Sequence, residues 1–247
     1  MKNREKNNII RPDMINILME ARKATDRKRD WNDYEIVAQC FGFFMGAFEN
    51  TSTILCFALY EITINLEIQE KLRNEIDNVR KNLKEEESIT YEILSNMKYL
   101  DMVVSETLRK WPIVALTDRV CNKNYILKIS EDHEIFFKIG ESCTINIIGL
   151  HYDPENFPNP EKFDPERFSE QNKQNIKPYT YLPFGSGIRN CIGNRFALME
   201  IKAILYYLLS EFNFELSTKT RLPIELETRV FHLQPKGGFW LKICSRN

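Results

Sequence analysis

Phe184-Gly185-Ser186-Gly187-Ile188-Arg189-Asn190-Cys191-Ile192-Gly193 is the stretch whose reading decides this chain. Glycine is scarce, 9 in 247 residues, yet Gly185, Gly187 and Gly193 crowd together here. Glycine collects where a backbone must turn tightly or let something approach closely. A helical pattern follows from Arg195 to Leu209, so the loop delivers one cysteine to the N-terminal end of a helix. There the helix dipole and free N–H groups stabilise a thiolate. Arg189 supplies a cation for an acidic group near that sulfur, and Phe184 a flat apolar lid. The plain alternative is a buried cysteine in a tight turn.

Working outward, six of the ten prolines lie between Pro154 and Pro183. That density forbids a regular helix or a central strand and predicts a long irregular segment of functional importance. Further upstream, short β-like runs are predicted at Tyr125–Ile129, Glu134–Ile139 and Thr144–Ile148, with two more in the tail at Phe212–Leu216 and Gly238–Ile243. The first half reads helical: Pro12–Lys23, a long apolar stretch from Tyr34 to about Asn65, an amphipathic Leu66–Leu83, a short Thr90–Met97, and Lys98–Lys110 stopped by Pro112. Asp33 or Asp30 is the expected cap of the long helix. Arg27–Asp30 and Lys84–Ser88 read as solvated connections. The long helix is apolar on nearly all sides, which places it in a core, and its polar patch of Glu49, Asn50, Thr51, Ser52 and Thr53 is costly there unless it has a task. The expected class is mainly α with small β-sheets, α+β, in one domain over 1–247.

Lys plus Arg number 34 and Asp plus Glu 35, a net charge of −1, which excludes a general nucleic-acid binder. Hydrophobic residues at 43% and charged residues at 28% exclude a disordered or fibrous chain. No apolar run reaches the roughly 18 residues that a membrane-spanning helix needs. Met1–Arg11 is polar, unlike a signal peptide or an anchor. The six cysteines form no CxxC pair and the three histidines (His133, His151, His232) are scattered. A zinc site and a disulfide scaffold are therefore not expected, and most of the thiols are expected to be buried.

Phe184 to Gly193 spells FxxGxRxCxG, and with every fixed position matched it resembles the cysteine-loop signature of cytochrome P-450, the haem-thiolate monooxygenases. Glu106-Thr107-Leu108-Arg109 looks like the family's ExxR helix, whose Glu and Arg lie on one helical face. Pro165-Glu166-Arg167-Phe168 looks like the segment that completes a Glu106, Arg109, Arg167 network. Gly46-Ala47-Phe48-Glu49-Asn50-Thr51 is similar to the family's oxygen-activation motif, with two departures. The leading Ala-Gly is swapped, and the position after the acid is Asn50, with Thr51 one place on. That is about 100° round the helix at ~3.6 residues per turn. The similarity runs from about Arg11 to Ile243 and covers only the C-terminal half of the family's fold. Phe57-Ala58-Leu59-Tyr60-Glu61, Thr117-Asp118-Arg119-Val120-Cys121, Leu150-His151-Tyr152-Asp153-Pro154 and Gly238-Phe239-Trp240-Leu241 resemble insect enzymes of the xenobiotic-metabolising type.

The resemblance implies haem b with Cys191 as the metal ligand, and Phe184, Gly187, Arg189, Gly193, Arg119 and Ala47 around the cofactor. Arg189 and Arg119 would take the haem propionates. Glu49 with Asn50 or Thr51 would relay protons. Phe48, Val114, Ala115, Phe231 and His232 would line the substrate pocket. It further implies O2, an apolar small-molecule substrate, and electrons from NADPH through a flavoprotein reductase. Arg195 and Lys202 are candidate docking cations or plain solvated residues. The organisation expected is a leading helix and connection over 1–30, a central helix over 33–65, and the cysteine loop and following helix over 184–209. The complete protein would sit on the cytosolic face of the endoplasmic reticulum, held through an N-terminal half that this chain lacks. Two rival readings are a haem-thiolate isomerase or dehydratase on the same fold, and a non-catalytic truncated product.

Overall fold

The computed structural model describes residues 1–23, 31–83, 88–227 and 233–246. The Arg27–Asp30 connection, Asp30 as a cap, most of the Lys84–Ser88 loop, Phe231 and His232 lie outside the described residues. The chain divides into two compact units, Met1–Ser52 and Thr53–Asn247.

The first unit holds α1 (Lys2–Lys6), α2 (Met14–Lys23) and the start of α3 (Asp33–Ile64). Asp13 stands before α2, and its carboxylate accepts the Asn16 N–H (3.0 Å), a capping bond. Arg4 grips the same carboxylate with two hydrogen bonds (2.7 and 2.8 Å), and that bond above all holds it down to about 2. Asp33 is not the cap of α3. Asn32 Oδ1 accepts the Glu35 N–H and Glu35 Oε2 accepts the Asn32 N–H, both at 3.0 Å, a reciprocal capping box. Asp33 is the first helical residue and pairs with Arg22 instead.

Tyr34, Val37, Phe41, Phe44 and Phe48 recur at spacings of three and four along α3, and all five are exposed. This corrects the expectation that the whole helix is enclosed. Within the first unit its described companions are helices of five and ten residues, too little surface to cover an aromatic stripe of that length. The later turns of α3 behave as expected: Ile54, Phe57, Ala58 and Ile62 are buried.

The second unit continues with α4 (Leu66–Asn82), α5 (Tyr91–Asn96) and α6 (Lys98–Lys110). Thr90 caps α5 by accepting the Ile93 N–H. Strands β1 (Leu116–Val120) and β4 (Ser142–Asn146) pair antiparallel, placing Arg119 opposite Cys143. Strands β2 (Tyr125–Lys128) and β3 (Glu134–Phe137) form a separate hairpin. The expected strand at Thr144–Ile148 is cut short at Asn146, because Asn146 Oδ1 accepts the Gly149 N–H and starts α7 (Ile147–Tyr152). The capping bond overrides the strand preference of two adjacent isoleucines. After the proline-rich segment come α8 (Asn194–Glu211), β5 (Phe212–Leu216) and β6 (Leu241–Ser245), the last two paired antiparallel.

The fold is thus mainly helical, with three two-stranded sheets among the described residues. One core gathers Ile54, Ala58 and Ile62 of α3, Leu72 and Ile76 of α4, Val103, Val104 and Leu108 of α6, and Ile201, Leu205 and Leu209 of α8. Among the described residues, no single helix is long and apolar enough to cross a membrane. All six cysteines are free and none is buried, which corrects the expectation of buried thiols. Cys143 lies on a strand exposed along most of its length, and Cys191 on an exposed loop.

Candidate functional site

Glu106 and Arg109 sit three residues apart on the buried face of α6, both with side chains wholly out of solvent. Arg109 Nε donates to Glu106 Oε2 (2.7 Å) and Nη2 to Oε1 (2.9 Å), a two-pronged pair. The guanidinium also donates to the carbonyls of His151 (Nη1, 2.9 Å) and Pro160 (Nη2, 2.7 Å). Glu106 Oε1 accepts the Asp164 N–H at 2.9 Å. Burial pushes the Glu106 carboxyl up, and Arg109 with the Asp164 N–H pulls it back. Arg167 stands at the edge of this cluster. Its Nη2 donates to the Asn159 carbonyl (2.9 Å), while Nε lies 3.5 Å from Glu106 Oε1 without a hydrogen bond. The sequence-predicted trio is therefore brought together, with Arg109 as the tightly held partner and Arg167 as a looser one.

His151, quoted above only for its texture, is the residue that sequence reasoning missed. It is wholly buried, its Nδ1 lies 3.0 Å from the Arg109 carbonyl, and its Nε2 accepts the Leu182 N–H at 2.9 Å. Burial holds the ring neutral, pushing it down to about 4. Its neighbour Tyr152 donates from the hydroxyl to the Lys110 carbonyl (2.7 Å), so the two side chains satisfy the last carbonyls of α6. Glu61, also missed, is a wholly buried carboxylate in α3 that receives Trp111 Nε1 and Lys110 Nζ, each at 2.9 Å. The available signal was an acid inside an otherwise apolar stretch of helix, a placement that demands a partner.

In the glycine loop, Gly185 and Gly187 adopt φ of +70° and +75°, the left-handed region that a side chain resists. The loop is closed by the Gly185 N–H donating to the Leu182 carbonyl (3.1 Å) and the Cys191 N–H to the Phe184 carbonyl (2.8 Å). Residues Gly187–Arg189 make one tight helical turn. Gly193 precedes α8 and has no side chain to cap it, and among the first N–H groups that of Arg195 donates to Asn194 Oδ1 at 2.7 Å. A Cβ placed at Gly193 would lie 4.0 Å from Cys191 Sγ, which puts the sulfur beside the start of α8. Around it, Ile188 and Ile192 are exposed at 101% and 84% and Phe196 at 55%, an apolar surface that water does not favour. Phe184 is half-buried, and Arg189 and Arg195 are exposed.

The remaining predicted residues are more scattered. Arg119 is exposed on β1, its guanidinium turned to Thr117 Oγ1 (3.1 Å) and the Asp118 carbonyl (2.7 Å). Val114 is exposed and Ala115 half-buried just ahead of β1. In α3, Ala47 and Asn50 are half-buried, Phe48 and Glu49 exposed and Thr51 buried, and the helix runs through them without a wider turn. Lys202 is no docking cation: it is buried on α8, with Nζ 2.5 Å from Asp101 Oδ1. Among the described residues, no group of three His, Cys, Asp or Glu could hold a metal ion.

The family description that matches this chain is Cytochrome P450, over residues 1–241. The chain belongs to the cytochrome P450 family. It is 49% identical over 247 residues to Cytochrome P450 9b1 of Drosophila melanogaster, covering 100% of this chain and 48% of that relative. It is 47% identical over 254 residues to Probable cytochrome P450 9f2 of the same species, covering 100% of this chain and 49% of the relative. Cytochrome P450 9e2 of Blattella germanica is 45% identical over 260 residues, with 100% and 48% covered. The chain spans about half the length of the curated relatives it matches.

The P450 family implies haem, and the cysteine loop fits such a group. One soft sulfur stands exposed beside the start of α8, and Ile188, Ile192 and Phe196, within five residues of it in the chain, are exposed apolar groups of the kind that a flat apolar ring would cover. Nothing lies within 4 Å of a Cβ built on Gly187, so that side of the loop is open to a close approach. Arg189 is exposed and is a cation of the kind that a carboxylate-bearing ring edge would pair with.

Proposed function

We propose that this chain carries the thiolate-bearing half of a haem monooxygenase that inserts one oxygen atom from O2 into apolar organic substrates. The observation that carries the reading is Cys191: an exposed thiol at the start of α8, preceded by two left-handed glycines and flanked in the chain by exposed Ile188, Ile192 and Phe196. When bound, the haem supplies redox-active iron, whose electron density a thiolate ligand increases. Cys191 Sγ would hold the iron, while Phe184, Gly187 and Gly193 would shape the cradle and Ala47 would stand against the ring. Arg189 and Arg119 would bind the propionates, Arg119 by exchanging its present contacts within β1. Phe48, Val114, Ala115, Phe231 and His232 would line the substrate side and exclude water. Glu106, Arg109 and Arg167 would act as a structural network. NADPH would supply electrons through a flavoprotein reductase, with exposed Arg195 among its contacts. A xenobiotic substrate range and a place on the endoplasmic reticulum membrane complete the proposal. The 247 residues alone are expected to be inactive, since the aromatic stripe of α3 and the apolar rim of Cys191 are exposed.

The test is the absorption spectrum of the reduced protein, loaded with haem, under carbon monoxide. The thiolate-type band is expected in the parent, in Cys143→Ser and in Cys244→Ser, and is expected to vanish in Cys191→Ser. A thiolate-type band that survives in Cys191→Ser rules out the assignment.

Glu49 is proposed to pass protons on the substrate side, with Asn50 holding the water that serves it. Asn50 carries an NH2 donor and a carbonyl acceptor but does not itself pass a proton on, so an ordered water beside Glu49 would complete the relay. Thr51 is one residue further round an unbroken helix and is buried at 5% exposure, which disfavours it as the donor. In a complete enzyme, Asn50→Thr is expected to raise product formed per NADPH oxidised and Glu49→Gln to lower it, with Thr51→Ala near the parent. Uncoupling confined to Thr51→Ala assigns the proton to Thr51 instead.

A further inference from the structure

We infer that His151 is a positioning residue for the Cys191 loop, tying the end of α6 to the turn that sets the cysteine. The inference rests on the reading of Cys191 as the ligand for its functional weight, but not for its geometry. The Leu182 N–H can only donate, so His151 Nε2 is its acceptor and the ring hydrogen sits on Nδ1, donated to the Arg109 carbonyl. One neutral tautomer therefore spans two segments 73 residues apart, Arg109 and Leu182. The ring also stacks on Tyr181, centroids 5.5 Å apart and planes 28° apart, and the Tyr181 hydroxyl donates to the Ser105 carbonyl (3.0 Å). Tyr181 and Leu182 are thus both fastened to α6. From Leu182 the chain enters the loop: its carbonyl accepts the Gly185 N–H, and the Phe184 carbonyl accepts the Cys191 N–H. Displacing Leu182 displaces the residues whose carbonyls close the turn.

Asn and Gln separate the two halves of this bridge. An Asn amide can reproduce the Nδ1 donor but reaches too short to serve Leu182. A Gln amide can place its oxygen where Nε2 stands. Amide hydrogen exchange is measured on the haem-free chain, so failure here is distinct from failure of the haem reading. In His151→Asn, exchange at Leu182, Gly185 and Cys191 is expected to accelerate about tenfold, on the order of one lost hydrogen bond. In His151→Gln the same amides are expected within about threefold of the parent. Equal acceleration in both variants, or none in either, overturns the inference. A second measurement needs no variant. The ring 15N shifts of the parent at neutral pH are expected to report hydrogen on Nδ1, and hydrogen on Nε2 or a protonated ring overturns it too.

Discussion

Arg109→Leu is expected to destabilise the protein by about 3–5 kcal/mol, a large share of what a domain of this size possesses. Arg109 makes two bonds to Glu106 and one each to the carbonyls of His151 and Pro160, and the Arg109 and Glu106 side chains have no solvent access. Leucine matches the volume poorly and leaves the Glu106 carboxylate buried with the Asp164 N–H and a badly aligned Arg167. Losing one partner of a buried pair costs far more than the pair contributes, because the other charge has already given up its water. Arg109→Lys is expected to lose at least half as much, since one ammonium cannot reproduce a planar fork that serves a carboxylate and two carbonyls together. Denaturant midpoints at unchanged slope measure both. Arg109→Leu within about 1 kcal/mol of the parent would mean that the cluster is not structural.

Glu61→Ala is expected to cost about 3–4 kcal/mol through the same kind of loss at a different place. Glu61 Oε1 receives Trp111 Nε1 and Lys110 Nζ, so the last turns of α3 are held to the end of α6. Trp111 also stacks on Phe57, ring centroids 4.4 Å apart. Truncating Glu61 leaves an indole N–H and an ammonium without their acceptor. Glu61→Gln keeps an oxygen for Trp111 but no charge for Lys110, and about 1–2 kcal/mol is expected. Trp111→Phe removes the N–H and part of the ring stacked on Phe57, and the cycle cancels that packing loss. The cycle joining Glu61→Gln and Trp111→Phe is expected to show a coupling of about 1 kcal/mol. Additive losses in that cycle would show that the two groups do not act on each other.

Much of the fold was legible because its signals are local. Lys98–Lys110 and Phe212–Leu216 coincide with the expected elements residue for residue, since their periodicity and their ends lie within the segments themselves. The misreadings were contests between two local signals. Asn32 with Glu35 outcompeted Asp33 as a cap, and Asn146 ended a strand that Ile147 and Ile148 would have prolonged. In both, a side-chain hydrogen bond to a free backbone N–H decided the outcome. The stripe of α3 was misjudged for a different reason: an apolar face asks for burial, but only neighbouring surface can supply it.

By itself the sequence determined the family, the element that presents Cys191, and the Glu106–Arg109 pair, because each depends on residues within ten positions of one another. Only the tertiary structure decided that Lys202 is bound to Asp101 rather than offered to a partner, that Glu61 receives Trp111, and that His151 joins Arg109 to Leu182. These partners lie between 31 and 101 positions apart in the chain. No periodicity spans such distances. A buried polar group announces that it needs a partner, and the packing of helices and loops alone determines which one it finds.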